Sequence, residues 1–102
     1  MALWSPDILA EISLLTTEAG GRKTSTGSDW YGCPMQVDGQ YFDARIDLSE
    51  LGPVSPGQTI LAPLKFLSPE LALCHFPVGK AFALWEGRVI GSAKVLATYA
   101  HT

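Results

Sequence analysis

Apolar and polar residues alternate with a period of two along most of this chain. That is the spacing of strands that turn one face to a core and the other to water. Ile8, Ala10, Ile12 and Leu14 alternate with Leu9, Glu11, Ser13 and Leu15, which predicts a strand of about ten residues. Phe42, Ala44, Ile46 and Leu48 alternate with Tyr41, Asp43, Arg45 and Asp47 and give the cleanest half-buried strand. Ile60, Ala62, Leu64 and Phe66 repeat the pattern opposite Thr59, Leu61, Pro63 and Lys65. Pro63 has no N–H for a ladder bond, so it is predicted at an edge or a bulge. Lys80 to Trp85 and Arg88 to Tyr99 are predicted to form a closing hairpin about Glu86-Gly87. In its second arm Val89, Gly91, Ala93, Val95, Ala97 and Tyr99 share one face. Small residues there imply the close approach of another backbone.

Turn chemistry separates these runs. Gly20-Gly21, Gly52-Pro53 and Pro56-Gly57 are strong breakers. Asp38-Gly39, between Met35-Gln36-Val37 and Gln40-Tyr41-Phe42, is the best short hairpin signal. Arg22 to Asp29 is small and polar and reads as a loop, mobile unless it contacts something. No segment carries the pattern of an amphipathic helix. Short spaced strands with turns between them predict an all-β barrel or sandwich, a single domain over residues 1–102.

Composition supports that picture. The 102 residues are 47% hydrophobic and 17% charged, too apolar for a disordered chain. The length suits one modest core and is too short for a two-domain enzyme. Seven Lys+Arg against ten Asp+Glu give a net charge of -3. Long-range attraction of the whole molecule to nucleic acid or an anionic membrane is therefore not expected, although a local basic patch stays open. Two cysteines, Cys33 and Cys74, are too few for a disulfide framework. No run is long enough for a membrane helix. Met1 to Leu9 has no basic flank and carries Asp7, unlike a signal peptide. The expectation is a cytoplasmic protein with reduced thiols.

Ala10-Glu11-Ile12-Ser13-Leu14-Leu15, followed by Thr17-Glu18-Ala19-Gly20-Gly21-Arg22-Lys23-Thr24, resembles the opening of the C-terminal barrel of elongation factor Tu. Val54-Ser55-Pro56-Gly57-Gln58-Thr59-Ile60 is similar to that family's Pro-Gly turn before a strand, and Ser68-Pro69 to its proline after one. Phe82-Ala83-Leu84-Trp85-Glu86-Gly87-Arg88-Val89-Ile90-Gly91 resembles its closing hairpin, and the likeness runs from about Asp7 to Leu96. The resemblance implies a closed six-stranded antiparallel Greek-key barrel, the third domain standing alone. It implies no GTPase, and the chain has no Gly-x-x-x-x-Gly-Lys-Ser/Thr phosphate loop. The family's barrel contacts transfer RNA, an exchange factor and its own GTPase domain. By position, the RNA contacts carry over to Gly20–Thr24, with Arg22, Lys23 and Thr24, and to Glu86 and Gly87, flanked by Trp85 and Arg88.

Other residues compete for a role. Two cations beside a hydroxyl, Arg22, Lys23 and Thr24, could grip phosphate oxygens or simply be solvated. Trp85 is expected to be exposed, an anchor for a protein or for a stacked base. Asp43 and Asp47 flank Arg45 on an outer face and read as solvated charges. Cys74 and His75 are neighbours that would point apart in a strand, so a dyad would need Cys33 with His75 or His101. No spacing supports a metal site. The reading is a non-catalytic binding module without cofactor or nucleotide, taking a protein partner. The alternative is RNA, and a small cysteine/histidine enzyme is the remote one.

Overall fold

The computed structural model describes residues 5–99. Six strands alternate along the chain with loops and one short helix: β1 (Ile8–Leu14), β2 (Trp30–Val37), β3 (Gln40–Asp47), β4 (Thr59–Phe66), α1 (Pro69–Ala72), β5 (Ala81–Trp85) and β6 (Val89–Thr98). All pairings are antiparallel. The strands close into a barrel in the order β1-β4-β3-β2-β5-β6. Three consecutive strands, with β1 returning beside the last of them, form a Greek key.

The alternation decides which way each strand faces. Ile8, Ala10, Ile12 and Leu14 of β1, and Ala44 and Ile46 of β3, point inward. Ala62, Leu64 and Phe66 of β4 join them in one core with Met35, Leu84, Ile90 and Val95. Asp38-Gly39 forms the two-residue turn between β2 and β3, both residues at positive φ, 49° and 74°. That is the primed turn whose twist matches the flanking strands. β1 is shorter than its pattern predicts, because Leu15 turns to bond Ile90 and the chain then tightens at Thr16.

The small-residue face of β6 lies where a backbone closes in. A Cβ on Gly91 would sit 2.8 Å from the Ser13 carbonyl oxygen. Two bulges correct the expected phase of β6. The register moves from Leu84↔Gly91 to Trp85↔Val89, so Ile90 is the extra residue and turns inward while Val89 is exposed. A second shift falls between Leu9 and Ala10 of β1, opposite Val95 and Ala97. A bulge inserts one residue and so swaps the faces that follow. Tyr99, expected on the same face, is exposed too.

Pro63 lies at neither an edge nor a bulge. It pairs with Leu9, and its missing N–H falls toward β3, whose ladder with β4 stops at Ile46↔Leu64. Pro34 in β2 uses the same device on the side of β5, whose pairing is confined to Met35↔Leu84 and Gln36↔Ala83. In both cases a residue without a donor stands where no ladder bond is required.

Helix α1, which the periodicity does not show, is a single turn with Pro69 at its start, continued by a 3-10 turn over Leu73–His75. It carries Phe76 into one barrel end. The Phe76 ring packs on Phe66 at 4.5 Å, Phe82 at 5.0 Å and Phe42 at 6.0 Å. At the opposite end, the loops 15–29 and 48–58 fold over Ile12, Tyr31, Ile46 and Ile60. Thr26 and Val54 join them, with the Thr26 N–H donating to the Val54 carbonyl and the Val54 N–H to Thr26 Oγ1.

Candidate interaction site

The barrel brings the Gly-Gly-Arg loop and the closing hairpin together. Both leave the same end, because β1 finishes there and β5 turns into β6 there. Gly21 is required by space: a Cβ would lie 2.3 Å from the Leu15 carbonyl oxygen. Backbone bonds from Ala19 and Gly21 to Thr16 and from Gly20 to Thr17 coil the segment tightly. Its carbonyls then face the hairpin. Arg88 donates Nε–H to Gly20 O at 2.7 Å and Nη2–H to Gly21 O at 3.0 Å. The hairpin turn holds Glu86, Gly87 and Arg88 between the paired Trp85 and Val89, one residue longer than a two-residue turn at Glu86-Gly87, with Gly87 at φ 73°.

Arg22 is the hub. Its guanidinium is ion-paired with Glu86, donates to Tyr31 Oη at 3.2 Å and to the carbonyls of Thr24 and Ser25, and lies 4.9 Å from the centre of the Tyr31 ring. The Tyr31 hydroxyl also donates to Glu86. Burial works against the Arg22 charge, but the Tyr31 hydroxyl and the Glu86 carboxylate outweigh it and raise its pKa. Tyr31 is pushed well above the usual phenol range, first by burial and then by its hydrogen bond to Glu86. The loop expected to be mobile unless anchored is therefore anchored. Lys23 and Thr24, by contrast, are exposed, and among the described residues their side chains have no partner.

Trp85 corrects the expectation of an exposed anchor. It is half-buried, its ring 5.4 Å from that of Tyr41. Among the described residues the exposed tryptophan is Trp30, lying over Gly32 and under the Arg45 guanidinium at 4.7 Å. Gly32 in mid-strand is the room the indole needs. Arg45 thus stacks on Trp30, while Asp47 accepts hydrogen bonds from the Ser49 N–H and hydroxyl.

Tyr41, 50% exposed, links Trp85 to a groove of about 240 Å³ on the outer wall. The groove runs between the start of β3 and α1, lined by Tyr41, Phe42, Asp43, Leu67, Leu71 and Ala72. Leu67 and Leu71 are 60% and 64% exposed. Sequence reasoning missed this surface, since no period marks two leucines around a single helical turn.

The thiols lie in different surroundings. Cys33 is buried in β2 and its thiol is pushed up to about 12 by burial, which the Trp85 backbone and the Tyr31 hydroxyl only partly oppose. Cys74 is exposed and free. His75 pairs with Asp38 at 3.1 Å and stacks on Phe42, and Lys80 reaches the same carboxylate at 2.7 Å. His101 lies outside the described residues. Among the described residues, no three His, Cys, Asp or Glu side chains are grouped to hold a metal ion, and no helix is long and apolar enough to cross a membrane.

Asp7 is a further residue whose place the sequence does not show. Fully buried, it accepts the Phe66 N–H at 2.9 Å on Oδ2 and faces Lys65 Nζ at 3.4 Å on Oδ1. Its own backbone ties β4 to the chain after β6, through Leu64 O and Tyr99 N. Comparison with protein-family models and with curated proteins finds no match for this chain.

Proposed function

We propose that the chain is a non-catalytic module that docks on a protein partner, working in the manner of the elongation factor Tu barrel it resembles in sequence. The observation that carries the reading is the surface that runs from the half-buried Trp85 through exposed Tyr41 to exposed Leu67 and Leu71. Aromatic and aliphatic side chains beside a concave floor are the usual anchors of protein interfaces.

The loop chemistry favours protein over RNA. Arg22 and Arg88 spend their donors on Glu86, Tyr31 and the Gly20-Gly21 carbonyls. Lys23 is left as the loop's unpaired cation, and one cation on a chain of net charge -3 gives phosphate little to hold. The buried, protonated Cys33 is a poor nucleophile, which supports a role outside catalysis.

Partner capture from native lysate by the full chain tests the reading. Trp85→Ala and Leu71→Ser are expected to abolish capture of the same partner, and the double change Lys23→Ala/Thr24→Ala to leave it intact. RNA binding near physiological salt that depends on Lys23, with a salt slope that falls by about one on its loss, would overturn it in favour of nucleic acid.

A further inference from the structure

Resting on that reading, we infer that the groove takes its partner by strand addition: an extended cationic segment pairs with the free start of β3.

Hydrogen-bond parity decides toward which neighbour each residue of β3 directs its backbone groups. Gln40, Phe42, Ala44 and Ile46 alternate with residues whose backbone groups point away from β2, because Val37↔Gln40 closes the two-residue turn. Tyr41, Asp43 and Arg45 therefore direct N–H and C=O toward β4. Arg45 meets Lys65, and the Asp43 carbonyl accepts the Leu67 N–H at 3.0 Å. Continued by two residues, the register would set Pro69 opposite Tyr41. Pro69 has no N–H and already belongs to α1. The Tyr41 N–H and C=O thus face the groove, and among the described residues no backbone bond crosses to them on this side. An unpaired donor and acceptor on a strand edge are a template for another strand.

The side chains around this edge specify the occupant. A strand laid against β3 places alternate side chains inward, toward Phe42, Ala72 and Leu71, and outward, beside Tyr41 and Asp43. The inward lining is apolar. Outward stands the exposed Asp43, with exposed Glu70 next to Leu71, and neither carboxylate is ion-paired among the described residues. Of the cations around Asp43, Arg45, two positions along the outer face of β3, lies over Trp30, and Lys80 is held by Asp38. The complementary segment alternates apolar with basic residues, its cations meeting Asp43, Glu70 and the Tyr41 ring face.

The test is an amide titration of the full chain, observed by NMR, with the capped peptide acetyl-Lys-Val-Lys-Val-Lys-Val-amide. Saturable shifts are expected at Tyr41, Phe42, Leu67 and Leu71. Methylating alternate peptide nitrogens, in the phase that faces β3, should weaken binding about tenfold, as should Asp43→Asn with Glu70→Gln. The Glu-for-Lys peptide should not bind. Both variants change exposed side chains, and their amide spectra report that the barrel is intact. Absence of saturable groove shifts, equal binding of the methylated or acidic peptide, or shifts centred on Lys23 would overturn strand addition. So would concentration-dependent groove shifts without peptide, which would mark a second copy of the chain as occupant. If the peptide fails while capture of a native partner still depends on Trp85 and Leu71, only strand addition falls. If that dependence fails as well, so does the docking reading.

Discussion

One end of this barrel is stoppered by aromatic rings, the other by a polar weave. Phe76 fills the first among Phe66, Phe82 and Phe42. The second is closed by Arg22, Tyr31, Glu86 and Arg88, with Thr26 and Val54 beneath. Burial is non-directional and scales with area, so the aromatic end draws its stability from shape. Hydrogen bonds exchange with water at little net gain, so the polar end draws its definition from geometry more than from free energy. A small barrel can thus be strong at one end and specific at the other.

Phe76 is where the two ends should differ most. Phe76→Ala should cost about 3–5 kcal/mol, because three facing rings cannot collapse into the space. Urea denaturation measures it, and a cost below that of any polar-end substitution would reverse the contrast. Asp7→Ala comes next, at about 2–3 kcal/mol, because it orphans the buried Phe66 N–H. It lies near the aromatic end, showing that one polar group there matters when it is fully enclosed.

At the polar end, Arg22→Ala is expected to cost only about 1 kcal/mol. Glu86 is 43% exposed, so solvent screens the pair, and much of the loss is packing on Tyr31. Raising salt should narrow the gap between wild type and variant. A gap of several kcal/mol that ignores salt would mean the weave is structural core.

The smallest effect concerns Asp38, whose carboxyl is held below its ordinary 3.8 by the hydrogen bond from Lys80 and then that from His75. A carboxylate with a depressed folded-state pKa stabilises above the unfolded value and loses that contribution as pH falls through the folded one. Wild type should therefore be slightly more stable than Asp38→Asn at pH 5, and the two denaturation midpoints should converge below pH 3.8. A difference that grew with acid would mean that the neutral carboxyl, not the carboxylate, is the stabilising form.

Period two was enough to place β1, β3 and β4, and Asp38-Gly39 placed a hairpin, because each signal lies within a few residues. Gly91 announced a close backbone for the same reason. β2 was obscured by Gly32 and Pro34, which fit only because an indole covers one and a short ladder excuses the other. The site was legible in part. The Gly-Gly-Arg loop and the hairpin stood out as segments, but Arg22 and Glu86 are 64 positions apart and nothing local pairs them. Trp85 was misjudged because Tyr41, which half covers it, lies on another strand. The groove depends on where β4 stops and α1 begins, a boundary that one proline marks and no periodicity does.

The seam between β2 and β5 rests on two register pairs, Met35↔Leu84 and Gln36↔Ala83, against seven between β1 and β6. A cylinder under thermal agitation parts along its weakest join. Subglobal opening should therefore swing β5 and β6 away from β2 as a flap hinged on β1, leaving β2-β3-β4-β1 as a curled sheet. Native-state hydrogen exchange would see it as amides of Gln36 and Ala83, which face each other across the seam, trading deuterium well before those of Ile12 and Ala62. The core would then breathe from the side, through the wall next to Trp85, and the flap would draw Glu86 away from Tyr31 at one end and Phe82 away from Phe76 at the other.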